Sequence, residues 1–414
     1  MLRTSKAPEF RRDPRDFSRA GPLSPQLLTT LLLYMVADGN RRGYRHLLDA
    51  FWDEARVHGL PLPTAEPVSA PSFCDARHKI TSGLLRHVLH EVASTFVGQA
   101  FGPSRRWMGR RVFAMDGTKI NLHRSHDLEA AFGVPEGGYC PQVLMSVLLD
   151  VCAKAPVDVE VCGFASSERE HLLAMLPSLE PGDVLVLDRG YPSHEVLQAL
   201  AHAGVDFLIR VPSSATFAVI DDLRESDADE YLYYVDPPKG SPPDWTPLKL
   251  RAIRLRTPEG GESYFLTTLM RSSFSRPQLR ELYRMRWEAE EFFKLLKGPY
   301  IGQGQFRSKS PGGVLQELHV LTLFLLIARV LMATAARATE TEYQSLSPKS
   351  AVLGLAAYVT RLFLCADPDF ALNELQALTQ RIVRTRDKRR PGRSCPRVSF
   401  KPRLRWTPTG HCRG

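Results

Sequence analysis

The chain has 414 residues, 43% of them hydrophobic and 24% charged. That is too long for a single small core and too apolar for a chain disordered throughout. The formal charge of +9 is unevenly placed: residues 381–414 hold twelve Lys or Arg against the single acid Asp387, which suits a polyanionic partner and excludes a uniformly basic coat protein.

Residues 1–20 are polar and basic and read as a loose arm. From Ser24 to about Phe101 apolar residues recur at helical spacing, first Leu27, Leu28, Leu31 and Leu32, later Leu84, Leu85, Val88 and Leu89. A proline-rich break at Leu60–Pro71 divides them, so a small helical domain is expected. From Arg110 the pattern becomes strand-like. Arg111–Met115 leads into Asp116-Gly117-Thr118, and Lys119–His123, Gln142–Val151 and Val157–Phe164 follow as strands. Ser167-Glu168-Arg169-Glu170 reads as a capping box opening a helix, with a structural task for Glu170.

Val184–Leu187 is a continuous apolar strand ending in Asp188-Arg189-Gly190-Tyr191, followed by a helix at Ser193–Ala203 and a strand at Val205–Val211. Strands first, then strand and helix in alternation, predict a mixed sheet with helices on its faces. Between Pro212 and Leu269 the alternating runs Tyr231–Val235, Leu248–Arg256 and Tyr264–Leu269, with a turn at Glu259-Gly260-Gly261, predict a β-rich insertion. Ser275-Arg276-Pro277-Gln278 then opens a helix running to Lys297. Val314–Ala336 predicts a long buried helix: its most apolar stretch, Val320–Ala328, is too short for a membrane span and is stopped by Arg329. The resulting division is 1–108 (arm and helical, DNA-binding domain), 109–211 (core, first part), 212–269 (insertion), 270–338 (core, second part) and 339–414 (helical segment and basic tail).

Seven scattered cysteines without a C-x-x-C pair suit a reducing cytosol, and the N-terminus lacks a signal-peptide pattern. A cytoplasmic protein is expected. No G-x-x-x-x-G-K-[ST] motif occurs, so nucleotide use has no support. His123, His126, His171 and His194 share no ligand spacing.

The chemistry is concentrated in acids. On the helix over Ser275–Lys297, Tyr283, Arg286, Glu290 and Lys297 fall within roughly 60° of one another, at 100° per residue. A second face carries Leu282, Met285, Ala289, Phe292, Phe293 and Leu296, while Arg284, Glu288, Glu291 and Lys294 read as solvent-facing. Trp287 sits near the polar stripe, as a partly buried anchor or a base-stacking ring. Asp116 and Asp188 each end an apolar strand and precede a glycine within two residues. Either motif alone also reads as a turn, and Glu290 alone as a surface ion pair. Together the three carboxylates would hold two hard divalent ions, Mg²⁺ or Mn²⁺, for in-line displacement at a phosphodiester.

D-G-T, D-R-G-Y and Y-x(2)-R-x(3)-E-x(6)-K, in this order, resemble the signature of DDE transposases of the insertion-sequence-four family of bacterial mobile elements. The similarity runs from about Arg110 to Ala336, with Phe73-Cys74-Asp75-Ala76-Arg77 weakly similar to the helical region before the first aspartate. The resemblance implies an RNase H-like core with Asp116, Asp188 and Glu290 as the metal triad. Tyr283, Arg286, Lys297 and, beside the second aspartate, Arg189 would grip DNA phosphates, although a structural ion pair serves Arg189 equally well. It further implies a cut-and-paste enzyme acting on terminal inverted repeats and target duplex, dimeric on DNA and nucleoid-associated. A stand-alone nuclease of the same core and a host-adopted or inactive DNA-binding derivative are the alternatives.

Overall fold

The computed structural model describes residues 10–19, 21–38, 43–101, 106–212, 217–256, 261–297 and 306–386. Glu259 and Gly260 of the expected turn and nearly all of the basic tail lie outside them. Five helices come first: α1 (Pro25–Ala37), α2 (Tyr44–Val57), α3 (Ala70–His78), α4 (Ser82–Val92) and the short α5 (Gly98–Phe101), with a π-helical turn at Ala93–Val97 joining the last two. Ser24 caps α1 by accepting from the Leu27 amide at 3.2 Å, and Pro25 occupies its first turn, where a missing N–H costs nothing. The arm is not wholly loose: Phe10–Arg12 is tied to Lys79–Thr81 by backbone hydrogen bonds.

The sheet has eight strands: β1 (Val112–Asn121), β2 (Gln142–Asp150), β3 (Ala155–Gly163), β4 (Val184–Leu187), β5 (Asp206–Val211), β6 (Glu230–Val235), β7 (Leu248–Arg256) and β8 (Glu262–Thr267). Their order is β3-β2-β1-β4-β5-β8-β7-β6. β1 pairs antiparallel with β2 and parallel with β4, and β4 runs parallel to β5. A small helical region preceding such a mixed sheet is consistent with an RNase H-like fold. The expected insertion is β-rich, and it continues the core sheet from β5 as an antiparallel edge rather than forming a sheet of its own.

Between the strands lie α6 (His126–Phe132), α7 (Glu168–Met175), α8 (His194–His202) and α9 (Ala218–Glu225), of which α6 and α9 were not predicted. Ser167 and Glu170 form the expected capping box on α7. After the sheet come α10 (Arg276–Met285), α11 (Trp287–Leu296), α12 (Pro311–Ala338), α13 (Pro348–Ala356), α14 (Val359–Leu364) and α15 (Pro368–Arg384). α12 is long and apolar enough to cross a bilayer, yet most of it is buried inside the protein.

Side chains alternate across a strand, so the sheet divides the core in two. Val112, Ala114, Val184 and Val186 face the core shared with α1–α4, α11 and α12, while Phe113, Met115, Leu185 and Leu187 face that of α7–α9. This parity decides where Asp116 and Asp188 stand.

Candidate active site

The parallel register pairs Ala114 of β1 with Val186 of β4. The parallel pairing ends at that pair, and Asp116 and Asp188 each lie two residues beyond it. Both aspartates share the parity of Ala114 and Val186, hence the face covered by α11. Asp188 follows the last residue of β4, as expected for a strand-end acid. Asp116 does not end its strand. Pairing with β2 continues unbroken from Asp116↔Val147 through Asn121↔Gln142, so D-G-T is extended chain and not a turn. Gly117 is needed for space instead: a Cβ there would lie 2.6–2.8 Å from the Glu168 side chain, which rests on the opposite face at this level.

The expected single helix over Ser275–Lys297 is two. α10 and α11 meet at Arg286, where the ladder tightens to i→i+3 bonds, Arg286 N–H to Tyr283 at 3.1 Å and Ala289 N–H to Arg286 at 3.0 Å. The Ser275–Gln278 capping box stands as expected. So does the apolar face: Leu282, Ala289, Phe292, Phe293 and Leu296 are buried.

The Tyr283 hydroxyl donates to Asp188 Oδ1 at 3.1 Å, and the Arg189 amide donates to the same oxygen at 2.7 Å. Arg286 Nη2 donates to Glu290 Oε1 at 2.8 Å, with both side chains largely shielded from water. Burial opposes the charge of Arg286, but Tyr283, Asp188, Glu290 and Asp116 outweigh it and hold its pKa above the usual value. One guanidinium therefore sits in the field of all three predicted acids. Asp116 feels their crowding: burial first, then Glu168, pushes its pKa up to about 6 against the pull of Arg286 and a 3.0 Å bond from the Gly117 amide.

Glu168 and Tyr191 were missed as site residues. The Tyr191 hydroxyl, fully buried, donates to Glu168 Oε2 at 2.5 Å. Burial and Glu168 raise its pKa well above the ordinary phenol, so it stays a donor. Tyr191 was visible as the last letter of D-R-G-Y. Glu168 had only its place beside a capping serine, a signal that many helix starts share.

Other expectations divide. Lys297 ends α11, exposed, about 10 Å along the axis from Glu290, and it pairs with none of the site carboxylates. Arg189 is exposed and forms no ion pair with a described residue. Trp287 is not an anchor: it is 41% exposed, donates to Glu291 Oε1 at 2.9 Å and lies under Lys294. On the helix it points away from the apolar face. Glu288, expected in solvent, pairs with Lys154 at 2.7 Å and fastens α11 to the β2–β3 turn. Among the described residues, no three acid, His or Cys side chains stand close enough to hold a metal ion.

Residues 107–327 match the family model described as "Transposase DDE domain". The match spans more than half of the chain, which therefore belongs to the DDE-domain transposase family. Among curated proteins none matches this chain. A similar solved structure is the cryo-EM structure of the piggyBac transposase synaptic complex with hairpin DNA. It shares 11% identity and a TM-score of 0.44, over 91% of this chain and 80% of that one.

Proposed function

We propose that this chain is a cut-and-paste transposase of the insertion-sequence-four type. In this reading Asp116, Asp188 and Glu290 form its catalytic centre. The observation that carries the reading is the convergence on Arg286 of acids from β1, the end of β4 and α11.

By the chemistry of its donors the site suits a hard divalent cation, for which the acids would have to draw closer together than they stand here. The acids are oxygen-only ligands, and with Glu168 they outnumber the cation they share, as the raised Asp116 carboxyl attests. Asp116, Asp188 and Glu290 are the residues that would hold Mg²⁺ or Mn²⁺, two ions in the full reading. Such ions activate a water or a 3′-hydroxyl and steady the leaving oxygen of an in-line displacement.

The chain's own groups do the positioning. Tyr283 holds Asp188 by its hydroxyl, and Tyr191 holds Glu168 behind Gly117. Arg286 neutralises Glu290 in the free protein. As a planar fork it suits a phosphodiester oxygen once that carboxylate is otherwise engaged. Lys297 and Arg189, both exposed, would meet the flanking backbone as point charge and fork. The partners in this reading are the element's terminal inverted repeats and a target duplex. Two ends must be joined, so the active complex would be a homodimer.

The test is incubation of the purified chain with duplex from the flanking genome, with and without Mg²⁺, resolving cut, hairpin and joined strands. Metal-dependent cutting followed by joining is expected. Glu290→Ala should lower cleavage by about 10³-fold or more, by analogy with other groups that stabilise developing charge, while leaving end binding largely intact. Turnover near wild type would remove Glu290 from the centre. Cutting without joining would favour a nuclease, and binding without metal-dependent cutting an inactive derivative.

A further inference from the structure

Away from the acids lies a cavity of about 400 Å³ with a different character. Its lining includes Arg12 from the N-terminal arm, Arg77 and His78 from α3, and Arg307 and Lys309 from the segment before α12. No carboxylate among the described residues lines it.

Several arginines are matched by acids: Arg86 by Asp158 and Glu160, Arg111 by Asp183, Arg251 by Glu230. Arg77 has no such acid among the described residues. It is only 5% exposed, yet it donates to neutral acceptors alone: Gln316 Oε1 at 3.1 Å, the Tyr44 hydroxyl at 2.8 Å, Ser308 Oγ at 2.9 Å and the Gly313 carbonyl at 3.2 Å. Its hydrogen bonds are satisfied, and among the described residues no carboxylate pairs with it. A buried charge without a counter-ion is costly, so the arrangement calls for an anion.

Neither Asp38 nor Glu317 bonds to Arg77. Asp38 holds Arg307 at 2.8 Å, and Glu317 accepts the Arg307 and Ser308 amides at 3.1 and 2.7 Å. Gly312 and Gly313 stand close against this lining: Arg12 Nη2 lies 2.8 Å from where a Cβ on Gly312 would stand, and the Ser308 and Ser310 hydroxyls lie 2.7 and 2.9 Å from the same point on Gly313.

We infer that this cavity is a second phosphate site, seating a backbone phosphodiester of the same duplex whose scissile bond lies at the acids. The inference rests on the DNA reading proposed above. The chain path limits how far apart the two can lie. His123, just past β1, meets the Phe306 carbonyl at 2.6 Å, beside Arg307 and Ser308. Asp116 and His123 are separated by seven residues, at most roughly 25 Å of extended chain. At 3.4 Å per base pair that is about seven base pairs.

The experiment measures binding of a labelled duplex by anisotropy over a salt series without Mg²⁺, for wild type and for Arg12→Gln combined with Lys309→Gln. Both side chains are exposed, and matching melting curves would verify the fold. For each phosphate that the variant no longer neutralises, the salt slope should fall by about 0.9, or by one to two in total. Affinity should drop roughly tenfold. A wild type that binds with a slope unchanged in the variant would overturn the site but not the DNA reading. A wild type that fails to bind duplex would overturn the DNA reading itself. In a parallel arm, thermal stabilisation by millimolar inorganic phosphate that disappears in the variant, with duplex binding unchanged, would assign a free anion instead and overturn the proposal.

Discussion

Asp116 is a carboxylate kept where it is uncomfortable. Its pKa stands at about 6 against an ordinary 3.8, because burial and Glu168 disfavour its charge. A carboxyl raised in this way contributes stability while protonated. That contribution fades as pH climbs from 3.8 through 6 and is gone above, a cost of about 2 kcal/mol after allowance for partial exposure. Asp116→Asn should therefore melt a few degrees higher than wild type at pH 8 without metal, lose that advantage near pH 4, and have no cleavage activity. Added Mg²⁺ should raise the wild-type melting point and leave the variant's unmoved. Identical melting at pH 8 would mean that Asp116 is not crowded. Asp116, Asp188 and Glu290 were legible as candidates because strand periodicity and helical spacing bear on which way each carboxylate faces. Glu168 was not, since its contact with Gly117 joins opposite ends of a crossover, and nothing local in the sequence encodes that approach.

Elements are held to one another by fewer, stronger contacts. α4 docks on β3 through Asp158, 1% exposed, which accepts from Arg86 at 2.8 and 3.0 Å, from Ser178 at 2.7 Å and pairs with His90 at 2.7 Å. Burial opposes the Asp158 charge, but His90 and Arg86 outweigh it and bring the pKa down to about 2. A depressed carboxyl stabilises above its unfolded pKa, so this contribution is present above 3.8 and disappears as pH falls through 2. Asp158→Asn should cost about 2–3 kcal/mol at pH 7, discounted because Arg86 and His90 are partly exposed. The gap from wild type should narrow below pH 4. Denaturant melts at pH 7 and pH 3 measure both, and a gap that widens at low pH would contradict the pairing. Most strands were readable from apolar runs or alternation, β4 and β7 to the residue. The break at Arg286 was not: its backbone stays in the helical region, with φ −54° and ψ −29°, and neither proline nor glycine marks it. D-G-T misled for the converse reason, as turn-forming residues were held extended by pairing to β2.

At the scale of the whole molecule the basic tail and the buried middle act in different ways. Residues 387–414, outside the described part, carry most of the positive surplus of the C-terminal segment. Their removal should weaken binding to random duplex and flatten its salt dependence, while equal retention would show them idle. The middle concerns folding. Leu28, Leu31 and Leu32 of α1, Leu85 and Leu89 of α4, Leu318, Leu325 and Leu326 of α12 and Val143 and Met145 of the sheet are all buried in one continuous core. α12 is thus covered on one side by the sheet and on another by the N-terminal helices. Removing residues 1–108 would bare an apolar band along a helix of 28 residues, at a cost of about 25 cal/mol for each Å² exposed. A fragment of residues 109–338 holds every site acid and the whole sheet, yet it should be expressed insoluble, or bind a hydrophobic dye and melt without cooperativity. The full chain should do neither. A soluble, monomeric, dye-silent fragment with a sharp melt would mean that the sheet domain closes its own core and that the N-terminal helices are an attachment to it.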